Sequence, residues 1–335
     1  MPGQKDRIAV TVPAAMSFIR NHYENLGSRV CSVELNRMSS IIKSAVFELL
    51  RLPSINTMLR ACRPVLSHFD VRTVDRFPVR GRVVLALAGE AGFVMESDGK
   101  DSVASAAYWV GLDSYEGCSL RVFGHLAKQS REIVDVGANT GLFSLLAASL
   151  QPRGQIHAFE PFPEAARRLN VNLQANGFTN VNLVRAALSR APGILPLYYN
   201  EALRLTQGAS LRGGAYATSK VDVPVLRLDD YLQQSFTDEI DLLKVDVEGA
   251  EPDVLAGAEK VISRCHPEII TELLVRDCFP KLREFVQRHG YSAYRLAEDG
   301  ICPDPDLAEE GPAAMNRLLI HPSRIDRISG LLFRH

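Results

Sequence analysis

A glycine-containing turn between an apolar run and a helical pattern constrains the fold of this chain more than any other feature. Residues Ile133–Val136 form a short β-branched run, which is typical of a buried parallel strand. Gly137 and Gly141 bracket a tight turn, and the apolar spacing of Leu142–Leu150 is helical. Strand, turn and helix in this order predict the opening of a nucleotide-binding βαβ unit, in which backbone N–H groups face the ligand.

The spacing of the turn indicates which ligand it suits. A dinucleotide fingerprint requires glycine at positions 137, 139 and 142, but the chain has Asn139 and Leu142 at the second and third of these. Asp135 ends the strand, and a carboxylate there repels a pyrophosphate but attracts an ammonium group. S-adenosylmethionine (SAM) carries an ammonium, a carboxylate and a sulfonium, and has no phosphate. The turn therefore favours SAM over NAD.

A second acid supports this interpretation. His157-Ala-Phe-Glu-Pro161 ends the next predicted strand with Glu160, and an acid at this position hydrogen-bonds the ribose hydroxyls of an adenosine. Pro161 biases Glu160 toward an extended backbone, which keeps the carboxylate at the carboxyl edge of the sheet. Together with the turn and Asp135, it predicts an adenosyl ligand.

Composition excludes several classes of protein. The chain has 335 residues, 46% of them hydrophobic and 23% charged, and a net charge of −1, so neither nucleic acid nor an anionic membrane is an expected partner. Six scattered cysteines favour reduced thiols in a cytoplasmic protein. Residues Ile8–Ile19 faintly resemble a signal peptide, but Pro13 interrupts them. No apolar run is long enough to span a membrane.

We predict two parts. Residues 1–75 form a helical N-terminal extension, with one amphipathic face made by Leu35, Met38, Ile42, Ala45 and Leu49. This extension either caps the catalytic domain or provides a surface for dimerisation or substrate binding. Residues 76–335 form the catalytic domain, with a hairpin and lead-in over 76–132 and a sheet core over 133–321.

Alternating strands and helices from residue 133 predict a mostly parallel sheet with helices on both faces. The later strands are predicted at Val181–Val184, Ile240–Asp246, Glu268–Glu272, Ser292–Leu296 and Arg317–His321. One helix is expected over Ala250–Ser263, and an acidic, Pro-rich loop over Cys302–Pro312. Residues 189–236 form an insertion with two further strands and a loop, Gln207–Gly214, of a kind that often contacts substrate.

Several acids near this edge of the sheet are candidates for chemistry. Asp246 and Glu272 end adjacent strands, and either could act as a general base, or the two could bind Mg²⁺, which we do not favour. Alternatively, Asp246 only orients SAM, Glu272 caps a loop, and no metal binds. Glu248 follows closely and could be a helix-capping acid, as could Glu116, which otherwise could reach the ligand. Lys244 lies inside an apolar strand and requires a partner such as Asp246 or Asp135.

Four segments resemble the FkbM-type methyltransferases, which belong to the class I SAM-dependent methyltransferases. They are Asp135-Val-Gly-Ala-Asn-Thr-Gly141, Phe159-Glu-Pro161, Leu228-Asp-Asp-Tyr-Leu232 and Leu243-Lys-Val-Asp-Val-Glu-Gly-Ala-Glu251. The resemblance covers residues 76–321 and implies a Rossmann-like fold with a seven-stranded sheet whose last strand is antiparallel. It also implies methylation of hydroxyls on sugars, glycans or natural products.

Residue by residue, the resemblance places the methionine part of SAM at the turn, the ribose at Glu160 and the adenine at Ala187. A Tyr115-Glu116 pair is a weaker match. The predicted cofactor-binding residues are Glu116, Asp135, Gly137, Ala138, Asn139, Thr140, Gly141, Glu160, Pro161 and Ala187, and the predicted catalytic residues are Asp246, Glu248 and Glu272.

Three functions follow as hypotheses. The first is a SAM-dependent O-methyltransferase acting on a small molecule or glycan, with homo-oligomer formation through the N-terminal helices as an additional expectation. Methyl transfer to a nitrogen or carboxylate is a variant of it. The second is a non-catalytic binding module, which would have lost Asp135 and Glu160, and both are present. The third is an NAD-dependent enzyme, which the missing glycines oppose.

Overall fold

Strand β3, the apolar run before the glycine turn, lies inside an eight-stranded sheet. The computed structural model describes residues 47–63, 77–201, 209–213, 217–235, 239–297, 300–307, 315–329 and 331. In chain order its strands are β1 (Arg80–Leu85), β2 (Phe93–Asp98), β3 (Glu132–Val136), β4 (Gln155–Phe159), β5 (Val181–Val184), β6 (Ala187–Leu188), β7 (Gly193–Tyr199), β8 (Ser219–Leu226), β9 (Leu242–Val245), β10 (Glu268–Glu272), β11 (Ser292–Ala297), β12 (Gly300–Pro303) and β13 (Asn316–Ile320).

The large sheet has the strand order β5-β4-β3-β9-β10-β13-β11-β12. Strands β5, β4, β3, β9 and β10 are parallel, and β13 is antiparallel to both of its neighbours. All seven predicted strands are present, and the expectation that the last one is antiparallel is confirmed. Since the parallel strands share one carboxyl edge, the acids that follow them meet there.

An eighth strand forms where the sequence predicted part of a loop. Strand β12 pairs antiparallel with β11, and Ile301 lies opposite Leu296. Both side chains are buried, so apolar burial outweighs the turn-forming residues around them. The prediction of a continuous loop from Cys302 was therefore wrong at its start, and residues 308–312 of it lie outside the described residues.

Helices cover both faces of the sheet. They are α1 (Pro53–Ala61), α2 (Ser102–Val110), α3 (Leu112–Tyr115), α4 (Gly117–Ala127), α5 (Leu142–Leu150), α6 (Pro163–Asn176), α7 (Leu228–Gln234), α8 (Glu251–Ala256), α9 (Glu259–Cys265) and α10 (Cys278–His289), followed by a 3₁₀ helix at Pro322–Ile328. One core contains side chains from α2, α4, α5 and α6, and the other contains side chains from α7 to α10. Alternation along β3 sends Ile133 to the first core and Val134 to the second.

The helix predicted over Ala250–Ser263 is interrupted at Gly257. The backbone carbonyl of Gly257 accepts a hydrogen bond from the Asp229 N–H, at 3.0 Å. The Asp229 carboxylate accepts from the N–H groups of Lys260 and Val261 at the start of α9, as an N-cap does. A Cβ on Gly257 would lie 2.1 Å from the Ser189 carbonyl oxygen, so only glycine allows this packing. Asp229 in the Leu-Asp-Asp-Tyr-Leu segment therefore has a structural role.

The described part of the N-terminal extension contacts the hairpin β1–β2. The Asn56 side chain donates to the Pro78 carbonyl at 2.6 Å and accepts from the Arg80 N–H at 2.8 Å. Arg60 donates to the carbonyls of Arg80 and Arg82. The predicted amphipathic face lies outside the described residues except for Leu49, so the cap and dimerisation interpretations both stay predictions.

The insertion forms a separate three-stranded sheet of order β6-β8-β7, which confirms its two predicted strands. Strands β7 and β8 are antiparallel, and Ser210 forms an isolated bridge with Tyr198. This bridge brings residues 209–213 to the carboxyl edge of the large sheet. Within the described residues, no helix has both the length and the apolar character to cross a membrane.

Candidate functional site

The turn after β3 is in direct contact with the end of β9. Gly137 has a φ of 76°, and a Cβ at this position would lie 1.8 Å from the carbonyl oxygen of Asp246. The Asp246 N–H donates to the Val136 carbonyl at 3.1 Å. Only glycine permits both this backbone conformation and this approach. The close contact fixes Asp246 beside the turn.

Glu160 is held at the end of β4 by two backbone donors. One carboxylate oxygen accepts from the Asn139 N–H and the other from the Phe162 N–H, both at 2.7 Å. Burial raises the pKa of Glu160 to about 7, and these two hydrogen bonds partly oppose that increase. Each oxygen retains a second lone pair, so the carboxylate can accept from two further donors, such as the hydroxyls of a ribose.

A cavity opens at this edge of the sheet, and its wall combines these polar groups with an apolar slot. Eighteen residues line it: Val136, Gly137, Asn139, Phe159, Glu160, Pro161, Phe162, Ala165, Ala186, Ala187, Leu188, Leu197, Ala209, Leu211, Asp246, Val247, Glu248 and Ala250. The small and apolar side chains of Ala187, Phe162, Leu197 and Leu211 offer a flat aromatic ring a dry surface.

The insertion supplies one wall of this cavity. Leu197 comes from β7, and Ala209 and Leu211 come from the segment that bridges to Tyr198. The Ser210 hydroxyl donates to the Glu248 carbonyl at 2.9 Å and so ties this segment to the loop after β9. Glu248 has a φ of 55°, an uncommon value for a residue with a side chain, and this hydrogen bond helps to hold it.

Seven of the thirteen predicted site residues line the cavity: Gly137, Asn139, Glu160, Pro161, Ala187, Asp246 and Glu248. Of the other six, Ala138, Thr140 and Gly141 face the protein interior. The Thr140 side chain is fully buried, and the backbone carbonyl of Thr140 accepts a hydrogen bond from the Asn172 side chain. A Cβ on Gly141 would lie 2.3 Å from the Leu169 side chain, so this glycine allows α5 to approach α6.

Asp135 also lies behind the cavity wall. Its side chain is fully buried, one carboxylate oxygen is 3.4 Å from the Lys244 Nζ, and the other accepts from the Ser144 hydroxyl at 2.6 Å. Lys244 already neutralises this carboxylate, which also lies behind the cavity wall. Direct contact between Asp135 and an ammonium group of the ligand stays a prediction.

Lys244 connects the turn to the acids at the edge of the sheet. Its Nζ is 3.4 Å from carboxylate oxygens of both Asp135 and Asp246, and it donates to the Gly137 carbonyl at 3.2 Å. The ring of Phe143 lies 4.9 Å from the Nζ. Although burial alone would lower the pKa of Lys244, the carboxylates of Asp246, Asp135 and Glu116 raise it. The prediction that an acid neutralises this lysine is confirmed.

Glu116 and Glu272 complete the acidic side of the site, although neither lines the cavity. Burial raises the pKa of Glu116 to about 7, and the charge of Asp246 adds to this effect. Glu116 precedes α4 but makes no side-chain capping hydrogen bond, so the capping interpretation of this residue was wrong. Glu248 does not cap α8, because the residue directly before that helix is Ala250.

Sequence reasoning missed most of the apolar slot. Phe162, Leu197 and Leu211 had no motif context, and only the position of Phe162 directly after Pro161 was a usable signal. Lys244 stood out as a buried cation but was not assigned to the site. In the described part of the chain, no group of three or more His, Cys, Asp or Glu side chains is arranged to bind a metal ion.

Comparison with known proteins identifies the family of this sheet and turn. The family model described as "Methyltransferase FkbM domain" matches residues 135–293. The 31-O-demethyl-FK506 methyltransferase FkbM of Streptomyces tacrolimicus is 30% identical over 217 residues, which are 57% of this chain and 77% of that protein.

Two further relatives are similar over shorter regions. Methyltransferase sdnD of Sordaria araneosa is 35% identical over 176 residues, covering 44% of this chain and 66% of its own length. The 2-O-methyltransferase NoeI of Sinorhizobium fredii is 29% identical over 152 residues, covering 42% of this chain and 62% of its own length. The chain thus spans slightly less than two thirds of these two proteins.

Proposed function

Because this chain belongs to the FkbM methyltransferase family, we propose that it transfers a methyl group from SAM to a hydroxyl of a sugar, glycan or natural product. One observation carries the proposal: the cavity combines a carboxylate held by two backbone donors, Glu160, with an apolar slot and a second acid, Asp246. The names of FkbM and NoeI both place the methyl group on an oxygen, which supports a hydroxyl acceptor.

The residues present fit SAM. The two ribose hydroxyls would donate to the free lone pairs of Glu160, and the adenine would occupy the slot lined by Ala187, Phe162 and Leu197. The methionine part would lie along the turn at Gly137 and Asn139. When bound, SAM supplies an electrophilic methyl group on a sulfonium. No pyrophosphate partner is implied by this donor set.

The chain's own contribution to the reaction is positioning and proton transfer. Asp246 lies on the cavity wall, 3.4 Å from the Lys244 Nζ, and its backbone is fixed by the turn. In the proposal it orients the acceptor and, with Glu272, takes the hydroxyl proton. Glu248, held by Ser210, borders the same space and would contact the acceptor.

We assign no metal ligand. The scattered cysteines support a cytoplasmic location.

The substitution Glu160→Gln is expected to weaken SAM binding about 10- to 100-fold. An amide has one acceptor oxygen, so its NH₂ group would face either the Asn139 or the Phe162 N–H and could not accept a ribose hydroxyl. Titration calorimetry of SAM into the purified chain measures this change.

Glu164→Gln is the matched control, because Glu164 lies in the first turn of α6, pairs with Arg167 and Arg168, and does not line the cavity. We expect it to bind SAM like the unaltered chain. Unchanged SAM affinity in Glu160→Gln would remove Glu160 from the proposed ribose site.

A further inference from the structure

Asp246 and Glu272 follow adjacent parallel strands and lie side by side at the edge of the sheet. Strands β9 and β10 are parallel, and Val245 lies opposite Thr271, so the next residue of each strand reaches the same point. Asp246 is close enough to raise the pKa of Glu272. Two adjacent carboxylates repel each other, so such a pair favours holding one proton between them. The pair can therefore hold a proton beside the cavity.

The groups around this pair are mainly acidic. Glu248 approaches from the loop after β9, and Tyr115 and Glu116 approach from the junction of α3 and α4. On β13, the residue opposite Glu272 is the neutral Asn316. Burial, together with Asp246, Glu116 and Glu248, raises the pKa of Glu272 to about 9. These surroundings favour the protonated pair in the ligand-free protein.

Lys244 is a cation beside Asp246, and its charge is shared with Asp135. Its Nζ is equally close, at 3.4 Å, to Asp246 and to the fully buried Asp135. One positive charge therefore faces two carboxylates, and Glu116, Glu248 and Glu272 are further acids nearby. A further positive charge in the cavity, which Asp246 lines, would lower the proton affinity of the pair.

We propose that the Asp246–Glu272 pair is the proton acceptor for the substrate hydroxyl, and that the charge of the bound cofactor controls whether the pair is free to take that proton. This inference rests on the proposed function. SAM has a net charge of +1, while its demethylated product S-adenosylhomocysteine is neutral overall. The pair loses its proton when SAM binds and regains proton affinity once the methyl group has left.

The proposed step transfers one methyl group and one proton. As the bond between sulfur and the methyl carbon breaks, a bond forms between that carbon and the acceptor oxygen. The hydroxyl proton passes to Asp246, which lines the cavity, and is shared with Glu272 within the pair. The products are a methyl ether, S-adenosylhomocysteine and a protonated pair. The next SAM molecule expels this proton to solvent. No oxidant, reductant or metal ion takes part in this step.

Proton release on binding tests the inference without an acceptor. Calorimetric titrations at pH 7 in phosphate and in Tris, which differ in ionisation enthalpy, give the number of protons released per ligand. We expect SAM to release roughly half a proton more than S-adenosylhomocysteine, because a positive charge beside a carboxyl group lowers its pKa by about 1 to 3 units. In Glu272→Gln this difference should fall by at least half, while SAM still binds.

Glu268→Gln is the matched control. Glu268 is a buried acid at the opposite end of the same strand, where it faces Arg324 and Arg327, and burial raises its pKa to about 7 as well. It should retain the full difference. Equal proton release by SAM and S-adenosylhomocysteine, or a full difference in Glu272→Gln, would overturn the inference. Failure of the unaltered chain to bind SAM would instead contradict the proposed function.

Discussion

The variant Gly137→Ala is expected to lose more than about 4 kcal/mol of unfolding free energy and all measurable SAM binding. The added Cβ would lie 1.8 Å from the Asp246 carbonyl oxygen, and neither atom can move without shifting backbone that packed strands hold in place. Either the turn or the end of β9 must move, and each borders the cavity. Urea unfolding and SAM titration measure the two effects.

Gly177→Ala separates the steric clash from backbone strain. Gly177 has a φ of 66°, close to that of Gly137, but a Cβ there would have no heavy atom within 4 Å. This control should lose only about 1 to 2 kcal/mol, the cost of a left-handed backbone for alanine, and should bind SAM normally. If the two variants lose similar stability, the contact between the turn and Asp246 is not as close as described.

The variant Lys244→Met is expected to lose about 3 to 5 kcal/mol, because it leaves Asp135 charged and buried without a cation. Methionine fills a similar volume, so the loss arises mainly from charge. Urea unfolding at neutral pH measures the loss.

A second substitution isolates the electrostatic contribution. Adding Asp135→Asn to Lys244→Met removes the uncompensated charge and retains the hydrogen bond with Ser144, so the double variant should recover much of the stability. Lys220→Met, an exposed position on β8, is the control and should stay within about 0.5 kcal/mol of the unaltered chain. Additive losses in the double variant would show that Lys244 stabilises the site by packing alone.

The strand ends of the site were predictable from the sequence. Glu160, Asp246 and Glu272 each end an apolar run, and the carboxyl ends of parallel strands meet at one edge whatever the rest of the chain does. The need of Lys244 for an acidic partner, Asp246 or Asp135, was predictable for a similar reason, since a buried charge requires an opposite one. Local pattern and elementary electrostatics were sufficient for these residues.

The rest of the site depends on contacts between distant parts of the chain. Leu197 and Leu211 reach the cavity because the insertion folds back through the bridge between Tyr198 and Ser210. The break at Gly257 arises from its contacts with Ser189 and Asp229, which no local helix signal contains. The sequence offered Asp135 as one possible partner of Lys244, but only the register of β3 with β9 showed that the two lie directly opposite each other.

Thermal unfolding with excess SAM, S-adenosylhomocysteine or NAD tests the central claim most directly. A ligand at about 100 times its dissociation constant stabilises the folded chain by about 2.7 kcal/mol, which shifts the midpoint by several degrees. We expect such a shift with SAM and with S-adenosylhomocysteine, and none with NAD. A shift with NAD alone, or no shift with either adenosyl ligand, would contradict it.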